Sequence, residues 1–393
     1  MKILQVIPFY KPAFGFGGPV KVCSDISELL VKRGFQVSVA TTDAYDRHSR
    51  VAKNAETIKG VKVVRFRNLS PWLAKDFNLY LPRGFKQYIR NNLKKFDLVH
   101  LHSFFTYQNI ICAKYCRKYK IPYIIHLHEM PMPIPLFKKS LIKRVFNLLY
   151  GKKLLKNAAK ILVVSPLERD RLAGFIPSLQ DKIEVALNPI EPPKRKPIKP
   201  KRREYGLNQS DKVFLFLGRL SFIKGLEHLI AAFAKLAKKD PHYKLIIAGP
   251  DESGQLKKLE RQIGSLGVGN KVIFTGLVEG KNKEELFGIS DIFVLFSHYE
   301  SFSLATLEAI SHGLPVCLSK EVGIAEVLEK YGCAQIIKNT SNKKRSALQL
   351  ELAYKNRSSL KKNCQKAIAE FSLKKTVAKI SAIYFKLTQK TCS

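Results

Sequence analysis

No uninterrupted apolar run reaches the roughly 18 residues that a membrane-spanning helix needs, so an integral membrane protein is not expected. The start, Met1-Lys2-Ile3-Leu4-Gln5-Val6-Ile7, has no basic leader, long apolar stretch or small-residue cleavage site. It runs straight into a strand pattern, and a cytoplasmic protein is the expectation. The seven cysteines, at 23, 112, 116, 317, 333, 364 and 392, are odd in number and lack CxxC spacing, which argues for reduced thiols rather than disulfides or zinc. Neither an Asp-x-Asp motif nor a His/Cys cluster offers metal ligands, so no metal is expected. Acidic residues are scarce: 31 Asp and Glu stand against 69 Lys and Arg, a net charge of +38. Such a surface seeks polyanions, whether nucleic acid, an anionic membrane or a phosphorylated substrate.

With 393 residues the chain exceeds the roughly 250–300 at which one hydrophobic core stops growing, and two domains are expected. Short β-branched runs alternate with amphipathic helical patterns, the signature of α/β domains with parallel sheets covered on both faces. Strands are expected at 2–8, 36–41, 61–66, 98–101, 123–127, 161–164 and 183–187, and again at 213–217, 244–248, 272–275, 292–296, 316–318 and 335–337. After the first strand, Val22, Ile26, Leu29 and Leu30 mark one face of a helix that stops at Gly34. Between the two blocks, residues 194–203 include seven basic residues and two prolines, an exposed linker. The expected division is 1–190, a linker at 191–205, 206–365, and a C-terminal helix at 366–393 that could pack back on the first domain. Two doubly wound sheets place ligands outside the carboxyl ends of their strands, in a cleft between the domains.

The charged motifs fall at those strand ends. Gly218-Arg219-Leu220-Ser221-Phe222-Ile223-Lys224-Gly225 follows the strand at 213–217 and leads into a helix expected at 225–238. A forked guanidinium, an ammonium and a helix N-terminus together suit a diphosphate. Phe14-Gly15-Phe16-Gly17-Gly18-Pro19 is a glycine-rich turn where backbone could approach phosphate, although it is neither a dinucleotide fingerprint nor a P-loop. Glu300-Ser301-Phe302-Ser303-Leu304-Ala305-Thr306-Leu307-Glu308 follows the strand at 292–296. Its two carboxylates, one before a helix and one about two turns inside it, could grip hydroxyls at two points of a ligand.

Taken together, these motifs, with Gly313-Leu314-Pro315-Val316, resemble the retaining glycosyltransferases of family 4. The resemblance spans nearly the whole chain and takes in Gly17-Gly18, Asp97-Leu98-Val99-His100, His128, Ser165 and Asn188-Pro189. It implies a GT-B fold of two Rossmann-like domains, the second holding a nucleotide sugar and the first mainly the acceptor. By that analogy Arg219 and Lys224 neutralise the departing diphosphate and Glu308 binds the ribose. Glu300, with the backbone of Ser301, Phe302, Ser303 and Leu304, holds the sugar ring. Gly17 and Gly18 close over a phosphate, and His128 sits near the reacting carbon. The chain departs from the family at Glu300-Ser301-Phe302-Ser303, where Glu-Gly-Phe-Gly is frequent, and at His128-Glu129, where His-Gly is frequent. Glu129 is a candidate base, whereas His100, His102 and His126 read as lone structural or hydrogen-bonded histidines.

No cofactor is expected beyond the nucleotide-diphosphate sugar as co-substrate. Lys138, Lys139, Lys143, Arg144, Lys152, Lys153, Lys156 and Lys160 interleave with Leu141, Val145, Phe146, Leu148 and Leu149, with no acid between 136 and 160. This basic amphipathic pattern suits an anionic membrane face, and with it a glycan or lipid-linked acceptor in envelope polysaccharide, glycolipid or lipopolysaccharide synthesis. A nucleotide-sugar epimerase or phosphorylase of the same architecture is the alternative. A nucleic-acid-binding protein would explain the charge, but no recognisable binding module accompanies it.

Overall fold

A computed structural model describes residues 1–77, 79–128, 140–191, 201–251 and 254–389. It divides into two units, Met1–Pro189 with Leu373–Ser393, and Ile190–Ser372.

The first unit is built on an eight-stranded sheet of β1 (Lys2–Val6), β2 (Gln36–Thr42), β3 (Ala55–Ile58), β4 (Val61–Phe66), β5 (Leu98–His102), β6 (Tyr123–His126), β7 (Lys160–Val163) and β8 (Ile183–Val185). Their spatial order is β3-β4-β2-β1-β5-β6-β7-β8. All neighbours are parallel except β3 and β4. β3 is absent from the hydrophobic pattern because its sequence, Ala-Glu-Thr-Ile, carries no apolar alternation. Pairing with β4 supplies what propensity does not, and the buried Arg65 of β4 clamps it, donating to Glu56 at 2.6 Å and to the carbonyls of Lys53 and Lys11.

The Leu373–Gln389 helix packs on this unit. Val377, Ile380 and Tyr384 are fully buried in the core that contains Val22, Ile26 and Leu30 of the Gly18–Lys32 helix. Thr376 donates to the Leu187 carbonyl at 3.0 Å, and Arg33 to that of Lys374 at 3.2 Å. Residues 366–372, grouped with this helix by sequence pattern alone, lie in the second unit. There Phe371 stacks edge-on against Phe302, and its carbonyl accepts from Ile190 N at 2.8 Å. Of the linker at 191–205, residues 192–200 lie outside the described residues, and Arg202–Tyr205 forms a 3-10 turn.

The second unit has six parallel strands, β9 (Lys212–Leu217), β10 (Tyr243–Ala248), β11 (Val272–Gly276), β12 (Ile292–Leu295), β13 (Val316–Ser319) and β14 (Ala334–Ile337), in the order β11-β10-β9-β12-β13-β14. The Leu226–Ala237 helix buries nine residues against it, because Leu229, Ile230, Phe233 and Leu236 recur at the helical period with alanines between them. In each unit the strand order reverses once, between β1 and β5 and between β9 and β12. Open α/β sheets leave a crevice at such a switch point, outside the carboxyl ends of the strands.

All six cysteines among the described residues are buried free thiols. Among those residues no helix is long and apolar enough to cross a membrane.

Candidate functional site

At the second switch point the chain leaves β9 through Gly218 and the exposed Arg219. Phe222–Lys224 forms a single 3-10 turn, and the motif's helix starts at Leu226, not at Gly225. Gly225 is instead the N-cap, at φ +62°, and a Cβ there would lie 2.1 Å from the Phe296 carbonyl oxygen. Both the left-handed backbone and the missing space demand glycine. His298 N, just beyond β12, donates to the Ile223 carbonyl at 2.8 Å and fixes the turn from the other side.

Lys224 Nζ makes an ion pair with Glu300, 76 residues away. The sequence reading gives Lys224 to a diphosphate and Glu300 to a sugar; in the structure the two side chains hold each other. Both are about one-fifth exposed, so the pair remains open to exchange. The backbone around Glu300 is pinned: its N donates to the Glu321 carbonyl at 3.1 Å, and its own carbonyl accepts from Gly323 N at 2.8 Å. Beyond it, Ser301 shares a hydrogen bond with the Tyr299 hydroxyl, and Phe302 is buried. Ser303 adopts φ +81° so that its Oγ can cap Thr306 N at 3.3 Å, opening the Leu304–Ser311 helix.

Glu308 is the fifth residue of that helix, about one turn inside it and not two. It accepts from Lys283 at 2.8 Å. Lys283 belongs to the Gly280–Ile289 helix, and no local sequence signal links it to Glu308. Beside the Gly225 turn, Glu227 accepts from His298 Nε2 at 2.9 Å, with His228 Nε2 3.9 Å from the same carboxylate. Side-chain nitrogen and carboxylate atoms of these three lie within 4.8 Å of one another, a set that could hold a metal ion. The sequence pattern did not collect them.

At the first switch point, Phe14–Phe16 forms a 3-10 turn and Gly17, at φ +98°, is the N-cap of the helix that Gly18 begins. No atom lies within 4 Å of a Cβ added at Gly17, so the backbone angle alone requires glycine there.

Across β5 and β6, four histidine rings form one cluster of two stacked pairs, which corrects the reading of His100, His102 and His126 as lone residues. The repeat His-Leu-His occurs at the end of β5 and again at the end of β6, and parallel register sets His102 opposite His126. Alternation along each strand then puts all four on one face. His100 stacks on His102 at 4.2 Å and His126 on His128 at 4.1 Å. His100 Nδ1 meets the Tyr384 hydroxyl at 2.6 Å; His102 Nδ1 meets His128 Nε2 at 2.9 Å and its Nε2 meets Gln5 Oε1 at 2.5 Å. Neither ring nitrogen of His126 has a partner among the described residues. Burial, then mutual repulsion within the cluster, holds His100, His102 and His126 well below the usual imidazole range; burial pulls His128 to about 3. His100, His102 and His126 could also gather a metal by proximity. Two of these rings already spend nitrogens elsewhere, His100 Nδ1 on Tyr384 and both nitrogens of His102 on His128 and Gln5. Glu129 lies outside the described residues.

The basic segment runs through the Ser140–Phe146 helix, a π turn at Asn147–Gly151 and the Lys152–Asn157 helix; residues 136–139 lie outside the described residues. The π turn breaks the helical period that places its apolar residues on one face. Phe146 therefore packs onto Phe104 and Phe105, while Leu148 is 78% exposed and Leu149 59%. Val145 and Tyr150 are exposed as well, as are Arg144, Lys152, Lys153 and Lys156 on either side of them in sequence.

The Glycosyltransferase Family 4 profile matches residues 16–193, and the Glycosyl transferases group 1 profile matches residues 197–371. An uncharacterized glycosyltransferase of Methanocaldococcus jannaschii is 29% identical over 84% of this chain and 83% of its own length. Alpha-monoglucosyldiacylglycerol synthase of Streptococcus pneumoniae is 24% identical over 73% and 64%. Among solved structures, sucrose-phosphate synthase from Thermosynechococcus elongatus superposes with a TM-score of 0.75 at 17% identity, covering 99% of both chains. An Anabaena protein in complex with UDP and glucose gives 0.71 at 20% identity, over 98% of this chain and 100% of its own.

Proposed function

This chain is a glycosyltransferase of family 4 with the GT-B fold, and from that premise we propose that it moves a sugar from a nucleoside-diphosphate donor to a hydroxyl of a membrane-associated acceptor. The observation that carries the donor half is the Lys224–Glu300 pair, which joins the loop after β9, where Arg219 lies, to the loop after β12, which leads into the capped Leu304–Ser311 helix that bears Glu308. Helix N-termini carry about half a positive charge, and with two cations they match the charge that develops on a leaving diphosphate. This reading uses no metal, and full turnover in the presence of a chelator is the expected result. Glu308 binds the ribose, and Glu300 with the backbone of Ser301, Phe302, Ser303 and Leu304 binds the sugar.

Donor binding exchanges the Lys224–Glu300 pair for two new contacts, Lys224 on phosphate and Glu300 on a sugar hydroxyl, so neither charge is left without a partner. The diphosphate departs, an oxocarbenium-like sugar forms, and the acceptor hydroxyl attacks from the leaving side, passing its proton to the departing phosphate oxygen and retaining the anomeric configuration. In the first domain, Gly17 and Gly18 offer bare backbone to a phosphate, and His128 contacts a sugar hydroxyl near the reacting carbon.

The acceptor half rests on the exposed Leu148, Leu149 and Tyr150 in a segment whose exposed charges are all basic. Apolar side chains enter the interface of an anionic bilayer while each nearby Lys or Arg contributes about 1 kcal/mol. A lipid-linked or envelope-polysaccharide acceptor at the cytoplasmic face of the membrane fits that surface.

A thermal-shift screen of nucleoside-diphosphate sugars tests the donor site, since a donor at 100 times its Kd should stabilise the protein by about 2.7 kcal/mol. Absence of stabilisation by every donor would reject the reading. Donor conversion to an epimer, or consumption by phosphate without a hydroxyl acceptor, would replace it with an epimerase or phosphorylase. Salt-dependent nucleic-acid binding without donor affinity would replace it with a nucleic-acid-binding role.

A further inference from the structure

We propose that Gln5 and His102 are positioning residues that fix the tautomer of His128, with hydrogen on Nε2 and Nδ1 left bare as the acceptor for a substrate hydroxyl. The functional part of this inference rests on the reading of His128 as a sugar contact; the tautomer itself does not.

The chain of hydrogen bonds has a direction. Gln5 stands on β1, the strand at the switch point, with its side chain fully buried. Its Oε1 can only accept, so His102 Nε2, 2.5 Å away, must carry the hydrogen. A neutral imidazole has one N–H, which makes His102 Nδ1 the acceptor. His128 Nε2, 2.9 Å from it, is then the donor. Burial keeps both rings neutral, so His128 retains a bare Nδ1.

Geometry makes the assignment persistent. The His128 ring stacks on His126, 4.1 Å away at 20°, and meets His102 edge to edge, with centroids 5.2 Å apart and planes at 12°, so it cannot turn over without losing both contacts. The backbone is held in unusual conformations at both strand ends, φ +64° at Ser103 and +54° at His128. Ser103 N donates to the His126 carbonyl at 3.0 Å, and Asn109 Nδ2 to the Ser103 carbonyl at 2.7 Å. Left-handed residues without a glycine cluster at functional sites, where surrounding structure over-determines them. The other groups against His102 are the Cys23 thiol, 3.6 Å from Nε2 and itself pushed up to about 12 by burial, and the His100 ring, bonded to Tyr384. The consequence is chemical: a bare Nδ1 accepts from a sugar or acceptor hydroxyl, whereas the opposite tautomer would present a donor.

The test uses the full chain labelled with 15N-histidine. Nitrogen shifts should identify His128 as the Nε2–H tautomer, with the assignment made by loss of signal in His128→Asn. Gln5→Met, which removes the acceptor, should let His102 reverse and populate both tautomers at His128. Gln5→Glu, which keeps an acceptor oxygen, should restore the original pattern. With the donor that the thermal screen selects, Gln5→Met should lower kcat about tenfold with less change in KM, and Gln5→Glu should recover most of it. An Nδ1–H tautomer in the unmodified protein, or unchanged shifts in Gln5→Met, would overturn the inference. Shifts that move as expected while kcat holds would support the relay and instead overturn the contact between His128 and the sugar.

Discussion

Lowering the pH from 7.5 to 5.5 should remove most of the stability of the first unit. In the unfolded chain His100, His102, His126 and His128 titrate near 6.5, while in the folded unit all four are depressed, His128 to about 3. A depressed folded value means that the unfolded state binds the protons. Stability is therefore complete above about 6.5 and is lost as the pH falls toward the folded values. Between pH 7.5 and 5.5 each histidine costs about 1.4 kcal/mol, and the four together about 5.5 kcal/mol, comparable to the whole stability of a typical domain. Carboxylates contribute little in that window because their ordinary values lie near 4. The protein's single tryptophan, Trp72, lies in the first unit, so urea unfolding followed by its fluorescence reports on that unit. His126 offers the internal control, since neither of its ring nitrogens has a partner among the described residues and leucine removes one proton site without breaking a described hydrogen bond. In His126→Leu the proton uptake on unfolding should fall from about four to about three. A change of less than about 1 kcal/mol across the window would show that the cluster protonates in place, and would refute the reasoning.

Arg219→Ala should lower kcat by about 10²–10³-fold, the loss typical of one donor to a developing oxyanion, with the fold intact by circular dichroism. Gly225→Ala should destabilise the second unit by about 3 kcal/mol, because strain at φ +62° adds to the clash with Phe296; Gly84→Ala, at φ +75° in open space, should cost the first unit only about 1 kcal/mol in calorimetry. Replacing Leu148 and Leu149 together by glutamate should abolish sedimentation with anionic liposomes at low salt while leaving the melting temperature within a few degrees, since both side chains are already exposed.

The strand–helix alternation, the two domains and the charged motifs were legible from sequence because each is local. Period-two and period-3.6 patterns record which face of one element is buried, and Gly218-Arg219 or Glu300-Ser301 announces itself within a few residues. β3 escaped because a polar edge strand has no such record and exists only through β4 and the Arg65–Glu56 clamp. What tertiary structure alone decided is which side chains meet. Lys224 with Glu300 joins the loops after β9 and β12, and Lys283 with Glu308 joins two helices; their proximity depends on sheet order, which no local pattern encodes. The histidine cluster lies between these cases: its two His-Leu-His repeats are visible in the sequence, but only parallel register between β5 and β6, with Gln5 on β1 and Tyr384 on the returning helix, makes them one hydrogen-bonded group. Sequence determined the elements and the types of chemistry available. Register and strand order determined which of those groups are partners, because contacts at a switch point are set by long-range pairing and not by spacing along the chain.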